Sequence, residues 1–184
     1  MSQGAFARDM MTMRVAVCTT ALILLATSAF GQQNAERQTV IVGPWSIATT
    51  YKADKFDNCA MSRSVSGLGI VFVRNEDGLL LTLDSPKWRL ERGKAYTVRL
   101  AAASQTVDAK ALAETKGVTI AFADRSFNEK LRAANALEVR GEGATLRVPL
   151  DKSALAFERL ETCFDKNGRD GIETNPFVSP SRRP

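Results

Sequence analysis

The chain has 184 residues and a formal net charge of +5, and 45% of its residues are hydrophobic. This length is sufficient for one domain with a buried core. The chain contains no histidine. Because serine and cysteine hydrolases usually use a histidine base and zinc sites usually contain an imidazole ligand, the composition argues against both classes.

Residues 1–31 have the pattern of a signal peptide. Two arginines precede the apolar run 15–26, which is shorter than the roughly 20 residues that a bilayer span needs. Small residues allow cleavage before Gln32 or, alternatively, before Phe30. We take the later cut, which predicts a periplasmic or secreted protein with no integral membrane segment after cleavage. A retained membrane anchor is the competing interpretation.

The positive charge is scattered along the chain rather than clustered. Because export also separates the protein from nucleic acid, we expect no nucleic-acid partner. The expected partner is an unknown protein or an anionic component of the cell envelope.

The ordered part of the chain is predicted to be one β-rich domain, residues 39–168. Residues 32–38 are polar and are expected to be disordered. The letters "TVIVGPWSIATTY" fit two short strands, because apolar residues alternate on either side of the Gly43-Pro44 break. Residues 169–184 contain prolines among polar residues and are predicted to form a disordered tail.

The middle of the domain is predicted to contain antiparallel strands joined by tight turns. "LGIVFVRNEDGLLLTL" predicts a hairpin whose first strand, 68–73, is apolar on both faces and is therefore expected to be covered from both sides. "AYTVRL" and "VTIAF" alternate as further strands. Residues 106–115 fit either a strand or a helix, and the alternation favours the strand. "ALEVRGEGATLRVPL" predicts a second hairpin around Gly141 and Gly143.

Two helices are predicted. Ser126 and Glu129 have the spacing of a capping box at the start of the first helix. Asp151 is expected to cap the second helix and Asn167-Gly168 to end it. With about seven or eight strands, the predicted class is β-rich α+β: an antiparallel sheet, curled or in a sandwich, with the C-terminal helix packed on it.

Cys59 and Cys163 are the two cysteines that remain after the predicted cleavage. An even pair in an oxidising compartment predicts a disulfide, and two buried free thiols are the alternative. A catalytic thiol is disfavoured, because Cys163 lies near a predicted helix C-terminus, where the helix dipole opposes a thiolate. The following loop, "DKNGRDGIE", lacks the spacing of a calcium-binding EF-hand, so no metal or other cofactor is expected.

One stretch combines cations with aromatic residues. This combination is typical of surfaces that hold sugars or anionic head groups, through ring contacts and charge-assisted hydrogen bonds. The alternative is that Trp88 is a core anchor with solvated neighbours, in which case its replacement destabilises the fold more than it weakens a ligand. The candidate binding patch consists of Lys87, Trp88, Arg89, Arg92, Lys94 and Tyr96.

Several segments together resemble a known family. They are the Trp-led strand "PWSIATTY", the "NCAMSR" motif, the paired central strands and the final "LRVPLDKSALAFERLETC". Over most of residues 40–163 this layout is similar to the invasion-associated locus B family of small exported proteins in Gram-negative bacteria. The resemblance implies a periplasmic or surface-associated β-rich domain without a known active site. The family commonly carries another central cysteine pair, which this chain lacks.

The sequence as a whole predicts a non-enzymatic exported domain that binds a partner or supports the cell envelope. No catalytic residue is assigned. The alternative is a small inhibitor of an envelope or host hydrolase, because disulfide-linked β domains often present a rigid loop to an active site. An enzyme that uses only carboxylates is the remaining possibility.

Overall fold

The computed structural model describes residues 39–53 and 55–170, and in the last helix it describes side chains up to Gly168. The predicted signal peptide, the predicted disordered segment 32–38 and residues 171–184 of the predicted tail 169–184 lie outside the described residues. The first two residues of that predicted tail, 169 and 170, belong to the last helix instead.

The described residues form ten strands and two helices, and all ten strands belong to one antiparallel sheet that does not close. The strand order is β1-β2-β3-β4-β5-β8-β7-β6-β9-β10. The predicted β-rich α+β class is confirmed, as one sheet rather than a sandwich. The strands are β1 Thr39–Val42, β2 Trp45–Lys52, β3 Lys55–Val65, β4 Leu68–Asn75, β5 Gly78–Asp84, β6 Ala95–Ala102, β7 Gln105–Glu114, β8 Gly117–Phe122, β9 Ala136–Arg140 and β10 Thr145–Pro149.

The core lies on one face of the sheet, called here the inner face. A row of side chains that pair directly across six neighbouring strands forms its centre, and each of them is at most 3% exposed. Burial of each large apolar side chain stabilises the fold by about 1.5–3 kcal/mol. The row consists of Ile47, Met61, Phe72, Leu81, Ile120 and Ala111.

Both helices pack on the inner face. The second helix, α2 Ser153–Asp170, buries Phe157 and Leu160 completely, and the Phe157 ring lies 5.0 Å from the Phe72 ring. The first helix, α1 Arg125–Ala133, buries Phe127 and Leu131. The predicted packing of the C-terminal helix on the sheet is therefore confirmed.

The start of α1 differs from the prediction. Asp124, not Ser126, is the N-cap, because its carboxylate accepts a hydrogen bond from the backbone N–H of Phe127 at 3.0 Å. The Ser126 hydroxyl donates to the same carboxylate at 2.9 Å. The backbone bond, followed by the hydroxyl bond, holds the pKa of Asp124 below its usual value.

Both ends of α2 also differ from the prediction. Asp151 lies two residues before the helix, and its carboxylate accepts a hydrogen bond from Arg63 at 2.7 Å, which lowers the pKa of Asp151. The same Arg63 guanidinium lies 5.1 Å from the Trp45 ring centroid. At its other end the helix continues through Gly168 to Asp170, beyond the predicted stop.

The strand prediction is mostly confirmed, with one omission. The stretch of ambiguous periodicity is strand β7, and both predicted hairpins are present as β4–β5 and β9–β10. The omission is β3, whose eleven residues make it the longest described strand. It alternates between buried Cys59 and Met61 and the more exposed residues beside them.

The outer face of the sheet carries what we call the uncharged band. Its residues form two rows that pair directly across neighbouring strands, and none of them is ionisable. Among the described elements both helices lie on the other face, so the expectation that β4 is covered from both sides is wrong there. One row contains Ile41, Ser46, Ser62, Val71, Thr82, Thr119 and Leu112, and the other contains Ala48, Ala60, Val73, Leu80 and Ala121.

Candidate functional site

The predicted disulfide between Cys59 and Cys163 is present and joins β3 to α2. The two residues are 104 positions apart in the chain, and their Cα atoms are 6.2 Å apart. Cys59 is fully buried, and the Thr49 hydroxyl lies 3.4 Å from the Cys163 sulfur. Because both sulfurs are covalently bonded to each other, neither is a free nucleophile in this structure.

Most of the predicted binding patch lies in the loop 85–94, between β5 and β6, and Tyr96 lies in β6. Trp88 is therefore in a loop. Its backbone N–H donates to the carbonyl of Ser85 at 3.1 Å, and its ring is half-buried against the core. Trp88 thus contacts the core and remains accessible on one side.

The cations of the patch have two different environments. The guanidinium of Arg89 donates to the backbone carbonyls of Pro86 at 2.9 Å and Trp88 at 2.8 Å, which braces the loop. Lys87 has an exposed side chain, and its backbone N–H donates to the Ser85 hydroxyl at 3.4 Å. Arg89 therefore contributes to loop conformation, while Lys87 faces solvent.

The other two cations, Arg92 and Lys94, form exposed ion pairs. Arg92 pairs with Glu114 at 2.8 Å, and Lys94 pairs with Glu91 at 3.6 Å. The Lys94 ammonium also lies 5.4 Å from the centroid of the Tyr96 ring. Exposed pairs of this kind contribute little to stability and exchange readily with other anions in solution. Of the two, Lys94 is therefore available to an anionic ligand near Tyr96.

The two aromatic rings of the patch line an apolar cavity of about 410 Å³ on the inner face. No residue of α1 or α2 is among the described residues that line it, so it occupies the end of the sheet that the helices leave open. Glu142 is the one carboxylate among the described lining residues. The apolar lining consists of Trp88 and Leu90 from the loop and of Leu83, Tyr96, Val98, Ala111, Val118, Val139 and Leu146 from the sheet.

The turn of the β9–β10 hairpin forms one wall of this cavity. Gly141 and Gly143 lie in the wall, and a Cβ atom built on either of them meets no atom within 4 Å. At these two positions the backbone therefore borders the cavity directly. The Gly141 N–H donates to the Ala144 carbonyl at 3.0 Å, which closes the turn.

The cavity has a mainly apolar lining, which suits the binding of an apolar group. Its polar side chains are the Glu142 carboxylate, the Tyr96 phenol and the Thr97 hydroxyl. Within the described ranges, no group of three or more Cys, Asp or Glu side chains is placed to hold a metal ion. Within those same ranges, neither helix has the length and apolarity required to cross a membrane.

Sequence reasoning found the two aromatic residues of this site but not the cavity itself. The lining combines the loop 85–94 with residues of six strands, β5 to β10, which are far apart in the chain. The local signal was the pair of aromatic residues on either side of a turn. The positions of Val118 and Leu146 beside them follow only from the strand order.

No family model matches the chain, and no curated protein or solved structure matches it. The resemblance to the invasion-associated locus B family therefore stays a prediction. Function resides in the site rather than in the fold.

Proposed function

We propose that the protein is a non-enzymatic binding domain of the periplasm or cell envelope, and that it binds an anionic amphiphile in the cavity beside Trp88 and Tyr96. The observation that carries this proposal is the apolar cavity together with the Lys94 ammonium, which lies beside the Tyr96 ring of its lining. Its volume of about 410 Å³ falls in the range of about 300–1,000 Å³ that is usual for small-molecule sites.

The apolar lining of the cavity favours a ligand that has an apolar group. Leu90, Val118 and Leu146 expose apolar surface to the cavity, and burying that surface under a hydrocarbon chain is favourable. Each methylene group contributes about 0.8 kcal/mol when it leaves water. Shortening a bound acyl chain by two methylenes is therefore expected to weaken binding about 15-fold.

The charge of loop 85–94, beside the cavity, favours a ligand with an anionic head group. Loop 85–94 carries Lys87, Arg89, Arg92 and Lys94 and a single carboxylate, Glu91. Lys94 lies beside Tyr96, so a carboxylate or phosphate at this point would contact a cation while its tail contacts the ring. The disulfide supports an exported location, because such bonds persist in oxidising compartments.

Intrinsic fluorescence tests the proposal directly. The chain has two tryptophans, and Trp45 is fully buried in the core, so a change on titration reports on Trp88. We expect saturable binding of a medium-chain fatty acid, weaker binding of the alcohol of equal length, and weakest binding of the alkylammonium. Val118→Phe, which fills the cavity from β8, is expected to abolish binding while the protein stays folded.

A control variant removes a cation that lies away from the cavity and leaves the cavity unchanged. Lys110→Gln removes an exposed cation on the outer face, where its ammonium donates to the Thr97 hydroxyl at 2.7 Å, and should bind the fatty acid as the unmodified protein does. No saturable change with any amphiphile, together with equal signals from the unmodified protein and Val118→Phe, would remove the proposal. If a pull-down recovers one hydrolase and that hydrolase loses activity, the protein is instead the inhibitor.

A further inference from the structure

The outer face of the sheet is divided into two halves of different chemistry. On β6, β7, β9 and β10 it carries exposed ion pairs, such as Arg99 with Asp108 at 2.9 Å and Arg147 with Glu138 at 3.8 Å. On β1 to β5 and β8 it carries the uncharged band, which ends at Leu112 on β7. In a chain that is 24% charged, a solvated sheet face normally presents polar and charged side chains. The band departs from that pattern.

The ends and the centre of the band differ in a way that suits association. Ile41 and Leu112, at opposite ends of one row, are 68% and 51% exposed, among the most exposed large apolar side chains of the described residues. Near the centre, the hydroxyls of Thr82 and Thr119 lie 3.2 Å apart and hydrogen-bond to each other. Covering these two hydroxyls therefore leaves neither without a partner.

The size of the band limits what can cover it. Seven strands spaced about 4.8 Å apart, with two rows of side chains, present roughly 400 Å². A stable interface buries about 800 Å² per partner, so the band alone supports a weak and transient contact. A partner with a charged surface would lose hydration without finding an opposite charge on the band.

We propose that a second copy of this chain covers the band, so that two sheets stack face to face in a weak homodimer. A second copy supplies an uncharged, pleated surface of small side chains, which is the geometry of aligned sheet packing. A two-fold axis that runs parallel to the strands and passes over Val71 places Ile41 of one copy over Leu112 of the other. The inference goes beyond the proposed function, because the cavity lies on the opposite face.

Analytical ultracentrifugation of the purified oxidised protein tests this dimer. We expect the unmodified protein to change from monomer to dimer between micromolar and millimolar concentrations. Val71→Lys places a cation at the axis of each copy and is expected to shift the transition to at least tenfold higher concentration. Thr97→Lys, an exposed position on the charged half of the same face, should leave the transition unchanged.

A charge-reversal experiment identifies the partner as a second copy. Because Val71 faces its own equivalent across the axis, an equimolar mixture of Val71→Lys and Val71→Glu is expected to restore dimers that neither variant forms alone. A protein that stays monomeric at millimolar concentration, or a Val71→Lys variant that dimerises unchanged, overturns the inference. Recruitment of a monomeric protein to phospholipid vesicles through the band would overturn it too. Should Val71→Lys fail to fold, the concentration dependence of the unmodified protein still decides.

Discussion

Reduction of the Cys59–Cys163 disulfide is the perturbation whose size the structure determines best. The bond closes a loop with a sequence separation of 104. In the chain-entropy account, removing a cross-link of this length frees the unfolded chain and lowers the free energy of unfolding by up to about 4.7 kcal/mol. Measured losses are often smaller, so we expect about 2–4.7 kcal/mol. A typical domain is stable by about 5–15 kcal/mol, so the reduced protein remains folded.

The native state has other contacts that hold α2 without the disulfide. Ala156, Phe157 and Leu160 are fully buried against the sheet. Glu161 accepts hydrogen bonds from Arg74 at 3.2 Å and from Arg132 at 2.5 Å, which links the helix to β4 and α1. Reduction is therefore expected to act mainly on the unfolded state, which becomes more expanded.

Urea unfolding of the oxidised and the reduced protein measures this loss. We expect a lower midpoint in the reduced protein and a larger m-value, because its unfolded chain exposes more surface. The reduced protein is a better comparison than Cys59→Ala, since replacing the fully buried Cys59 also leaves a small void. A loss below about 1 kcal/mol with an unchanged m-value would refute the argument. So would rapid alkylation of either cysteine in the folded oxidised protein.

Two further predictions concern charged groups. Glu161→Gln, which weakens the link to both arginines, should lower the free energy of unfolding by about 1–3 kcal/mol. Its exposed neighbour Glu158→Gln should change it by less than about 0.5 kcal/mol in the same urea assay. Stability should be nearly constant between pH 5 and 8, since the chain has no histidine. Folding lowers the pKa of three carboxyl groups, those of Asp108, Asp124 and Asp151. The stability that these groups contribute is therefore complete above the pKa of the unfolded chain, about 3.9, and is lost as pH falls below that value. Thermal melts from pH 8 down to pH 3 check that stability falls in acid. A stability maximum near pH 3 would contradict this prediction.

Periodicity predicted those parts of the fold in which one face of an element is apolar and the other polar. Strand β6 and the β9–β10 hairpin follow this rule. Strand β3 does not, because Arg63 occupies the inward position after Cys59 and Met61, and the alternation is interrupted. Arg63 is tolerated there because it contacts the Trp45 ring and the Asp151 carboxylate, which lie 18 and 88 residues away in the chain. Such compensation depends on tertiary structure and leaves no local signal.

The apolar outer positions of β4 led to a different error. Val71 and Val73 were expected to lie under a second layer, because strands that are apolar on both faces are usually covered on both faces. In the structure the same residues belong to the uncharged band, and neighbouring strands shield them only in part. Both residues do occupy apolar positions on the outer face, as the sequence indicates. Which element covers them depends on the order of the strands, and the sequence does not show that order. A second copy of the chain would satisfy the original expectation.

The open end of the inner face has a cost in stability, and the disulfide lies at the opposite end. Leu90, Val118 and Leu146 remain half-buried beside the cavity, and each forgoes roughly 1 kcal/mol relative to full burial. With the two aromatic rings added, the total reaches several kcal/mol, which is comparable to the contribution expected from the disulfide. A cavity maintained for a ligand should therefore be a site where stability and binding oppose each other. Val118→Phe is expected to raise the free energy of unfolding as it abolishes binding. A variant that loses both stability and binding would contradict this opposition.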